Sequence, residues 1–196
     1  DDPVNAPGVY SVTVTADDGN GGTVSDTFTY TVGNPAPTAT DNDYVVSEDA
    51  VSAVIGNALG DDTGDGTDSD PDGDTLVVTP QSGVTGSNGG VFSIDAAGVI
   101  TFDPNGDFED LAVGESATTT LSYEISDGEG GTDTATITVT INGVNDAPEV
   151  VPGNEIPDQN GLDDQLITPI DVSGTFTDPD STDVLSYSAT GLPAGL

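Results

Sequence analysis

The stretch Asp127-Gly-Glu-Gly-Gly-Thr-Asp-Thr-Ala-Thr-Ile-Thr-Val-Thr-Ile141 decides the fold, because it joins a glycine-rich turn to a regular alternation of side chains. From Ala135 onwards every second residue is apolar and threonine fills the positions between, which is the period of a half-buried β-strand. Similar alternation occurs in residues 10–16, 27–32, 121–125 and 185–187. Clusters of Gly, Asn, Asp and Pro separate these segments, and none has helical periodicity. The chain is therefore predicted to be all-β and built from β-sandwiches.

An internal repeat sets the expected domain organisation. Residues 18–32 align with residues 127–141, and Asp70-Pro-Asp-Gly-Asp74 aligns with Asp178-Pro-Asp-Ser-Thr-Asp183. Each pair lies a little over one hundred residues apart, which is the length of one sandwich domain. The predicted units are residues 1–33, the C-terminal half of a sandwich; residues 34–146, a complete sandwich; and residues 147–196, the N-terminal half of a following sandwich.

The charge of the chain excludes several classes of function. Among 196 residues there are 36 Asp and Glu, and there is no Lys, Arg or His. Such a chain cannot neutralise phosphates, so neither nucleic acid nor direct contact with an anionic membrane is expected. With no His and no Cys, most acid–base, nucleophilic and zinc catalysis is also unavailable, so we do not expect an enzyme. The chain contains no Met, which predicts that it is a piece of a larger protein.

Carboxylates held close together need a cation, and this chain has no basic side chain to supply one. The segment Asp68-Ser-Asp-Pro-Asp-Gly-Asp74 places carboxylates at Asp68, Asp70, Asp72 and Asp74, with a glycine for the turn. Clustered oxygen ligands of this kind favour Ca²⁺. The segment is not an EF-hand, because Thr79 stands at the twelfth position, where that motif has a glutamate. A solvated acidic turn is the alternative.

The middle unit resembles a known family of repeats. Residues 105–115, Ser126-Asp-Gly-Glu-Gly-Gly-Thr132 and Gly143-Val-Asn-Asp-Ala-Pro148 look like the VCBS-type bacterial cadherin-like repeat. The flanks resemble the two halves of a dystroglycan-type cadherin-like domain, on residues 8–12 and 18–22 at one end and on residues 176–180 and 191–195 at the other. The resemblance implies tandem cadherin-like or immunoglobulin-like β-sandwiches, with calcium at the inter-domain junctions, in large secreted bacterial adhesins or matrix proteins.

The resemblance also implies which residues bind calcium. At the junction after the middle unit the candidate ligands are Glu48, Asp107, Glu109, Asn145, Asp146, Asp178 and Asp180, and Asp183 completes the last acidic motif. At the junction before it, Asp70, Asp72 and Asp127 take the equivalent positions, and Asp17 and Asp18 correspond to Asp127 in the preceding unit. Pro35 stands where the other linker has Asp146, so the first junction is expected to bind fewer ions or to bind them more weakly. For each residue a solvated surface acid is the alternative.

These features predict a calcium-binding structural repeat that acts as a rigid, extracellular spacer. Its expected partners are neighbouring repeats, or copies of itself arranged head-to-tail. In the second arrangement, residues 147–196 of one copy and residues 1–33 of another would complete a domain and build a filament; a covalent tandem array is the competing explanation. A carbohydrate- or ligand-binding module is a third possibility, although the aromatic residues fall mostly on core-facing positions. The acidic surface of a halophile is a fourth, although the outward strand faces are mostly Thr and Ser.

Overall fold

The computed structural model describes residues 7–161 and 169–191, and this part of the chain forms strands, turns and loops without an α-helix. It therefore offers no helix that could cross a membrane. The prediction of an all-β protein is confirmed. The strands are β1 Gly8–Asp17, β2 Thr23–Val32, β3 Asn42–Ser47, β4 Ala53–Asn57, β5 Val77–Val78, β6 Gln81–Thr85, β7 Val91–Ile94, β8 Val99–Asp103, β9 Ser116–Ser126, β10 Thr132–Asn142, β11 Glu149–Val150 and β12 Phe176–Thr177.

Strands β3 to β10 form a sandwich of two four-stranded sheets. One sheet has the order β3-β10-β9-β5 and the other β4-β8-β7-β6. All neighbouring strands run antiparallel except β3, which lies parallel to β10 with Ile137 opposite Asn42. The longest pairing joins β9 to β10, from Thr132 opposite Ser126 to Asn142 opposite Ser116. The alternating segment that predicts the fold is thus a central strand of the sandwich.

The core lies between the two sheets and follows from the alternation. On β10, Ile137, Val139 and Ile141 are fully buried, whereas the threonines between them are only partly buried. From the other sheet, Phe92 and Phe102 pack at a centroid distance of 4.6 Å and fill the middle of the sandwich. Burying side chains of this size stabilises the fold by about 1.5–3 kcal/mol each.

Strands β1 and β2 form a separate two-stranded hairpin, as the sequence predicts. Ten residue pairs are in register, from Gly8 opposite Val32 to Asp17 opposite Thr23. The hairpin is nevertheless exposed on both faces, and Val32 is its only partly buried residue. The apolar face of the hairpin therefore has no second sheet against it in the described part of the chain.

The segment after the sandwich holds the short pair β11 and β12, with Val150 opposite Phe176. The rings of Phe176 and Tyr187 lie 5.9 Å apart. The prediction of a strand at Leu185 and Tyr187 was wrong, since residues 183–190 contain no strand. A strand requires a hydrogen-bonding neighbour, and in this part of the described chain β11 and β12 pair only with each other.

Candidate metal centres

In the described residues, four groups of three acids have carboxylate oxygens within 4.8 Å of one another. Three of the groups share residues and form one cluster at the end of the sandwich where β10 ends. This Asp146 cluster consists of Glu48, Asp49, Glu109, Asp146, Asp178, Asp180 and Asp183. The fourth group, the Asp70 cluster, consists of Asp70, Asp72 and Asp74.

The Asp146 cluster is assembled from four parts of the chain. Glu48 and Asp49 directly follow β3, Glu109 lies between β8 and β9, and Asp146 lies in the linker after β10. The remaining three acids follow β12. The fold thus brings together acids that are far apart in sequence, because the parallel pairing of β3 with β10 ends both strands at the same edge.

Hydrogen bonds donated by backbone N–H groups connect these parts of the chain. The Val144 N–H donates to Glu48 Oε1 at 2.6 Å, which fixes the linker to the end of β3. The Asp146 N–H donates to Asp180 Oδ2 at 3.1 Å, and the Ser181 N–H donates to the Asp110 carbonyl oxygen at 3.2 Å. These last two bonds connect the sandwich with the segment that follows it.

Three oxygens in the Asp146 cluster are buried and have no hydrogen-bond partner: Glu48 Oε2, Asp146 Oδ2 and Asp180 Oδ1. Glu48 and Asp180 are each only 2% exposed. A buried carboxylate oxygen without a partner is costly, because it has lost its water and gained nothing in return. Their three residues form one of the acidic groups, so a bound cation would be the partner that suits these oxygens.

The pKa values of two acids in the Asp146 cluster are raised because of burial and because several carboxylates lie close together. Burial, and after it the charges of Asp146, Glu109 and Asp49, raise the pKa of Glu48 above its usual range, although the hydrogen bond from Val144 acts in the opposite direction. Burial and the charge of Asp180 likewise raise the pKa of Asp146. Both shifts express the cost of holding several negative charges together without a cation.

The Asp70 cluster lies in a turn that follows a bridge between Thr38 and Ser69. Asp70 Oδ1 accepts hydrogen bonds from the N–H groups of Asp72, Gly73 and Asp74. Asp70 Oδ2 and Asp74 Oδ2 are buried and have no partner. The turn thus fixes one oxygen of Asp70 and leaves the other available to a ligand.

Asn34 provides a further unpartnered oxygen. Its Oδ1 is buried without a partner, while its Nδ2 donates to Asp127 Oδ2 at 2.7 Å. Burial tends to raise the pKa of Asp127, but hydrogen bonds from Glu129, Asn34 and Gly131 outweigh it and lower the pKa overall. The linker before the sandwich is therefore fixed to the turn between β9 and β10.

Carboxylate oxygens of Asp70 and Asp72 lie within 4.8 Å of each other, and each group changes the pKa of the other. The hydrogen bond with Asp70 and then burial raise the pKa of Asp72 from 3.8 to about 6. The same hydrogen bond lowers the pKa of Asp70. Two carboxylates this close together are stabilised by a cation, because a positive charge beside them offsets the cost of their like charges.

Asp68 has a different environment from the other acids of its motif. Its Oδ1 accepts hydrogen bonds from the Thr40 N–H at 2.7 Å and from the Thr40 hydroxyl at 3.1 Å. Its Oδ2 lies 3.0 Å from the Tyr123 hydroxyl, and Asp68 belongs to neither cluster. The structure thus gives Asp68 protein partners, and its role as a calcium ligand stays a prediction.

The other predicted acidic ligands also lie outside the two clusters. Asp107 Oδ2 accepts from the Gly90 N–H, and Asp17 Oδ1 accepts from the Gly19 N–H. Asp18 holds the turn of the hairpin, and the side chain of Asn145 donates to the Asp146 carbonyl oxygen. The hydrogen bonds of these residues are those of turns and linkers.

Sequence reasoning did not single out Asn34 and Asp49. Asp49 joins Glu109 and Asp146 in one of the acidic groups. Its position directly after Glu48 was the signal available. Asn34 stands in the linker before Pro35, and an asparagine in a linker is common without any ligand. Only its buried, unpartnered Oδ1 marks it as a candidate.

The donor set of both clusters fits calcium. All six buried side-chain atoms without a partner among the described residues are oxygens, from carboxylates and one amide. Ca²⁺ takes six to eight oxygen ligands of these types, at about 2.3–2.6 Å and in flexible geometry. No sulfur or imidazole is present to favour zinc or another softer metal.

The fold and these clusters define the class as a cadherin-like β-sandwich with acidic groups at its ends. A family model described as "Bacterial cadherin-like domain" matches residues 34–143, and the chain belongs to that family. The predicted resemblance to bacterial cadherin-like repeats is confirmed at this level. A second model, described as "Putative Ig domain", matches residues 2–33. No curated protein matches the chain.

Solved structures with similarity to this chain include three protocadherin ectodomains. They are the "Protocadherin gammaB7 EC3-6 cis-dimer structure" (18% identity, TM-score 0.38), the "Crystal structure of the Protocadherin GammaB4 extracellular domain" (19%, 0.38) and "Protocadherin Gamma B2 extracellular cadherin domains 3-6" (17%, 0.35). The matches cover 78%, 81% and 76% of this chain, and 36%, 26% and 36% of those chains. The chain thus spans only about a third of their length or less.

Proposed function

We propose that this chain is a calcium-binding structural repeat that serves as a rigid spacer in an extracellular bacterial adhesin or surface fibre. The observation that carries the proposal is the set of buried oxygens without partners in a chain that has no basic side chain. Because the chain has no basic side chain to offset these carboxylates, the compensating cation would come from solution. The oxygen-only donor set supports calcium.

At the Asp146 cluster, calcium would be held by Glu48, Asp146 and Asp180. The overlapping groups add Asp49 and Glu109 beside Asp146, and Asp178 and Asp183 beside Asp180. When bound, the ion neutralises carboxylates that otherwise repel one another. The chain's own part is to fix the linker through the Val144–Glu48 hydrogen bond and to join the next segment through Asp180. Together these contacts would restrict the angle between the sandwich and the unit after it.

The Asp70 cluster would be the weaker centre. It has three acids, whereas the Asp146 cluster has seven. In the linker before the sandwich, Asn34 has an unpartnered amide oxygen, and Pro35 follows where the other linker carries a carboxylate. Since affinity for calcium depends on how many charged ligands a site provides, the junction before the sandwich should fill at a higher calcium concentration.

The proposed setting follows from the family and from the charge. Cadherin-like domains are typically extracellular structural modules that generally bind calcium, and extracellular modules of this type bind it at about 10⁻⁴–10⁻³ M. Each site stabilises the folded chain by about 1.4 kcal/mol when calcium is at ten times its dissociation constant. In this setting the chain contacts neighbouring repeats and serves a structural rather than an enzymatic role.

Thermal unfolding and solution scattering with millimolar calcium and with excess EGTA test the proposal. We expect a melting temperature that is several degrees higher with calcium, and a scattering profile that becomes longer and narrower. Magnesium at the same concentration is the control for charge screening, because it demands near-octahedral geometry and loses its water reluctantly. Equal melting temperatures and equal profiles in calcium and EGTA would refute the proposal.

A further inference from the structure

Residues 112–115 form a β-turn between β8 and β9, here named the Glu115 turn. The Glu115 N–H donates to the Ala112 carbonyl oxygen at 2.9 Å and closes the turn. Gly114 holds the third position with a φ of 90°, a value that glycine adopts without strain. The Glu115 side chain reinforces the turn, because its Oε2 accepts a hydrogen bond from the Ala112 N–H at 3.1 Å.

The linker after the sandwich meets this turn directly beyond β10. The Gly143 N–H donates to the Glu115 carbonyl oxygen at 3.0 Å, which continues the pairing of β9 with β10 by one residue. A Cβ on Gly143 would collide with the carbonyl oxygens of Leu111 and Ala112. The φ of Gly143 is not positive, so its backbone conformation suits any residue. The close approach to these two carbonyl groups is therefore what requires glycine at this position.

This contact differs from the other hydrogen bonds of the linker. The N–H groups of Val144 and Asp146 donate to carboxylates of the Asp146 cluster, which are themselves proposed ligands. The N–H group of Gly143 donates instead to a backbone carbonyl oxygen of Glu115, a residue that belongs to neither cluster. Of these three bonds, the one from Gly143 can therefore hold the linker in place whether or not a cation is bound.

The loop that ends in the Glu115 turn also carries Glu109 of the Asp146 cluster. Next to Glu109, the Phe108 side chain is only 4% exposed, and the Leu111 N–H donates to the Phe108 carbonyl oxygen at 3.1 Å. Ala112, where the turn begins, is buried as well. The loop is thus anchored in the core on both sides of Glu109. A linker that lies against this loop brings Asp146 close to Glu109, with which it shares an acidic group.

We propose that Glu115 and Gly143 are positioning residues for calcium at the Asp146 cluster. Glu115 fixes the turn, and Gly143 allows the linker to lie against it, so that Asp146 is beside Glu109 before an ion binds. This inference rests on the proposed calcium site and adds two residues that hold its ligands in place. Ligands that are placed in advance bind more tightly, because less ordering remains to be done on binding.

Isothermal titration calorimetry with calcium tests the proposal. The background chain carries Asp72→Asn and Asp74→Asn, so that binding reports the Asp146 cluster alone. Glu115→Ala and Gly143→Ala should each lower the calcium affinity about tenfold, as expected for groups that orient metal ligands. The matched control is Gly33→Ala in the linker before the sandwich, where a Cβ would have no atom within 4 Å. This control should bind calcium as tightly as the background chain does.

Glu115→Gln distinguishes positioning from a contribution of charge. Glutamine keeps a side-chain oxygen that can accept from the Ala112 N–H, but it carries no negative charge. We expect Glu115→Gln to restore the calcium affinity of the background chain. An affinity as low as that of Glu115→Ala would overturn the proposal, because Glu115 would then act through its charge.

Amide hydrogen exchange in EGTA tests the positioning without calcium. In Gly143→Ala and Glu115→Ala, the Val144 and Asp146 amides should exchange about fivefold faster, the effect of losing one typical hydrogen bond. The Val139 amide on β10 reports global unfolding and should change less. Equal exchange of the two linker amides in the unchanged chain and in both variants would overturn the proposal.

The exchange measurement also separates this inference from the proposed function. A background chain that binds no calcium, but in which both variants speed the exchange of the linker amides, would refute the proposed function. It would retain the Glu115 turn as the element that places the linker.

Discussion

At the scale of single residues, Asp180 is the most direct test of the Asp146 cluster. It is nearly fully buried, its Oδ1 has no partner, and it belongs to two of the acidic groups. Asp180→Asn keeps the shape and removes one negative charge. We expect calcium affinity to fall by about tenfold, because one charged ligand is lost. Isothermal titration calorimetry measures this change.

Asp180→Asn should have opposite effects on the melting temperature in calcium and in EGTA. With calcium, Asp180→Asn should lower the melting temperature, since a ligand is lost. With EGTA it should raise the melting temperature, since Asp146 loses a repelling neighbour. Asp43→Asn is the matched control, because Asp43 is exposed and lies in neither cluster. A lower melting temperature in EGTA as well would mean that Asp180 has a structural role without calcium.

Asp72 gives the calcium-free chain a definite pH dependence. Its pKa in the folded chain is raised to about 6 from 3.8, so the folded chain holds this proton more tightly than the unfolded chain does. The associated stability is full below about 3.8 and is lost as the pH rises through about 6. The pKa values of Glu48 and Asp146 are raised as well, which acts in the same direction.

In EGTA we therefore expect the melting temperature to increase as the pH falls from 7 to 5. In calcium the affinity should decrease over the same range, because protons compete with the ion. The lowered pKa of Asp70 has the opposite sign, but its contribution is lost only below 3.8. The variant Asp72→Asn should show a flatter profile in both experiments. A calcium-free chain that became less stable towards pH 5 would contradict this assignment.

At the scale of structural elements, Asp68 connects the acidic motif to the core through Tyr123. The Tyr123 hydroxyl lies near Asp68 Oδ2 and the Thr40 carbonyl oxygen, and it accepts from Asn42 Nδ2. Burial and the charge of Asp68 raise the pKa of Tyr123, so the hydroxyl keeps its proton. The network thus anchors the Asp70 turn on strand β9.

Removing the Tyr123 hydroxyl distinguishes a structural role of Asp68 from a role as a calcium ligand. We expect Tyr123→Phe to reduce the free energy of unfolding by about 1–3 kcal/mol, because the buried carboxylate loses a donor. Calcium affinity should change less than twofold. Chemical denaturation and calorimetry provide the two readouts, with Tyr30→Phe on the exposed hairpin as control. A large loss of calcium affinity would instead support Asp68 as a ligand, as the sequence predicts.

The strands could be predicted from sequence more completely than the clusters. The alternation of apolar and polar residues predicted β1, β2, β9 and β10, because the two-residue period of a strand is visible in neighbouring residues. It failed at Leu185 and Tyr187, where the pattern is present but the neighbouring strand is not. The group formed by Glu48, Asp146 and Asp180 depended on the resemblance to cadherin-like repeats, since these residues meet only through long-range pairing. Asn34 depended on burial, which no sequence pattern expresses.

At the scale of the whole molecule, the central claim is that calcium fixes the sandwich relative to the segment after it. The chain carries a formal charge of −36, so its parts repel one another without a cation. Two hydrogen bonds cross this junction, from the Asp146 N–H to the Asp180 carboxylate and from the Ser181 N–H to the Asp110 carbonyl oxygen. Two such bonds contribute about 1–3 kcal/mol together, and calcium bound by acids on both sides of the junction would add a further restraint.

Double electron–electron resonance, which measures the distance between two spin labels, tests this claim most directly. The chain has no cysteine, so Ser122→Cys on β9 and Ser173→Cys after the junction can be labelled without further changes. Both serines are exposed and lie outside the clusters. We predict one narrow distance distribution in millimolar calcium and a broad one in EGTA. Distributions of equal width in both would contradict the account.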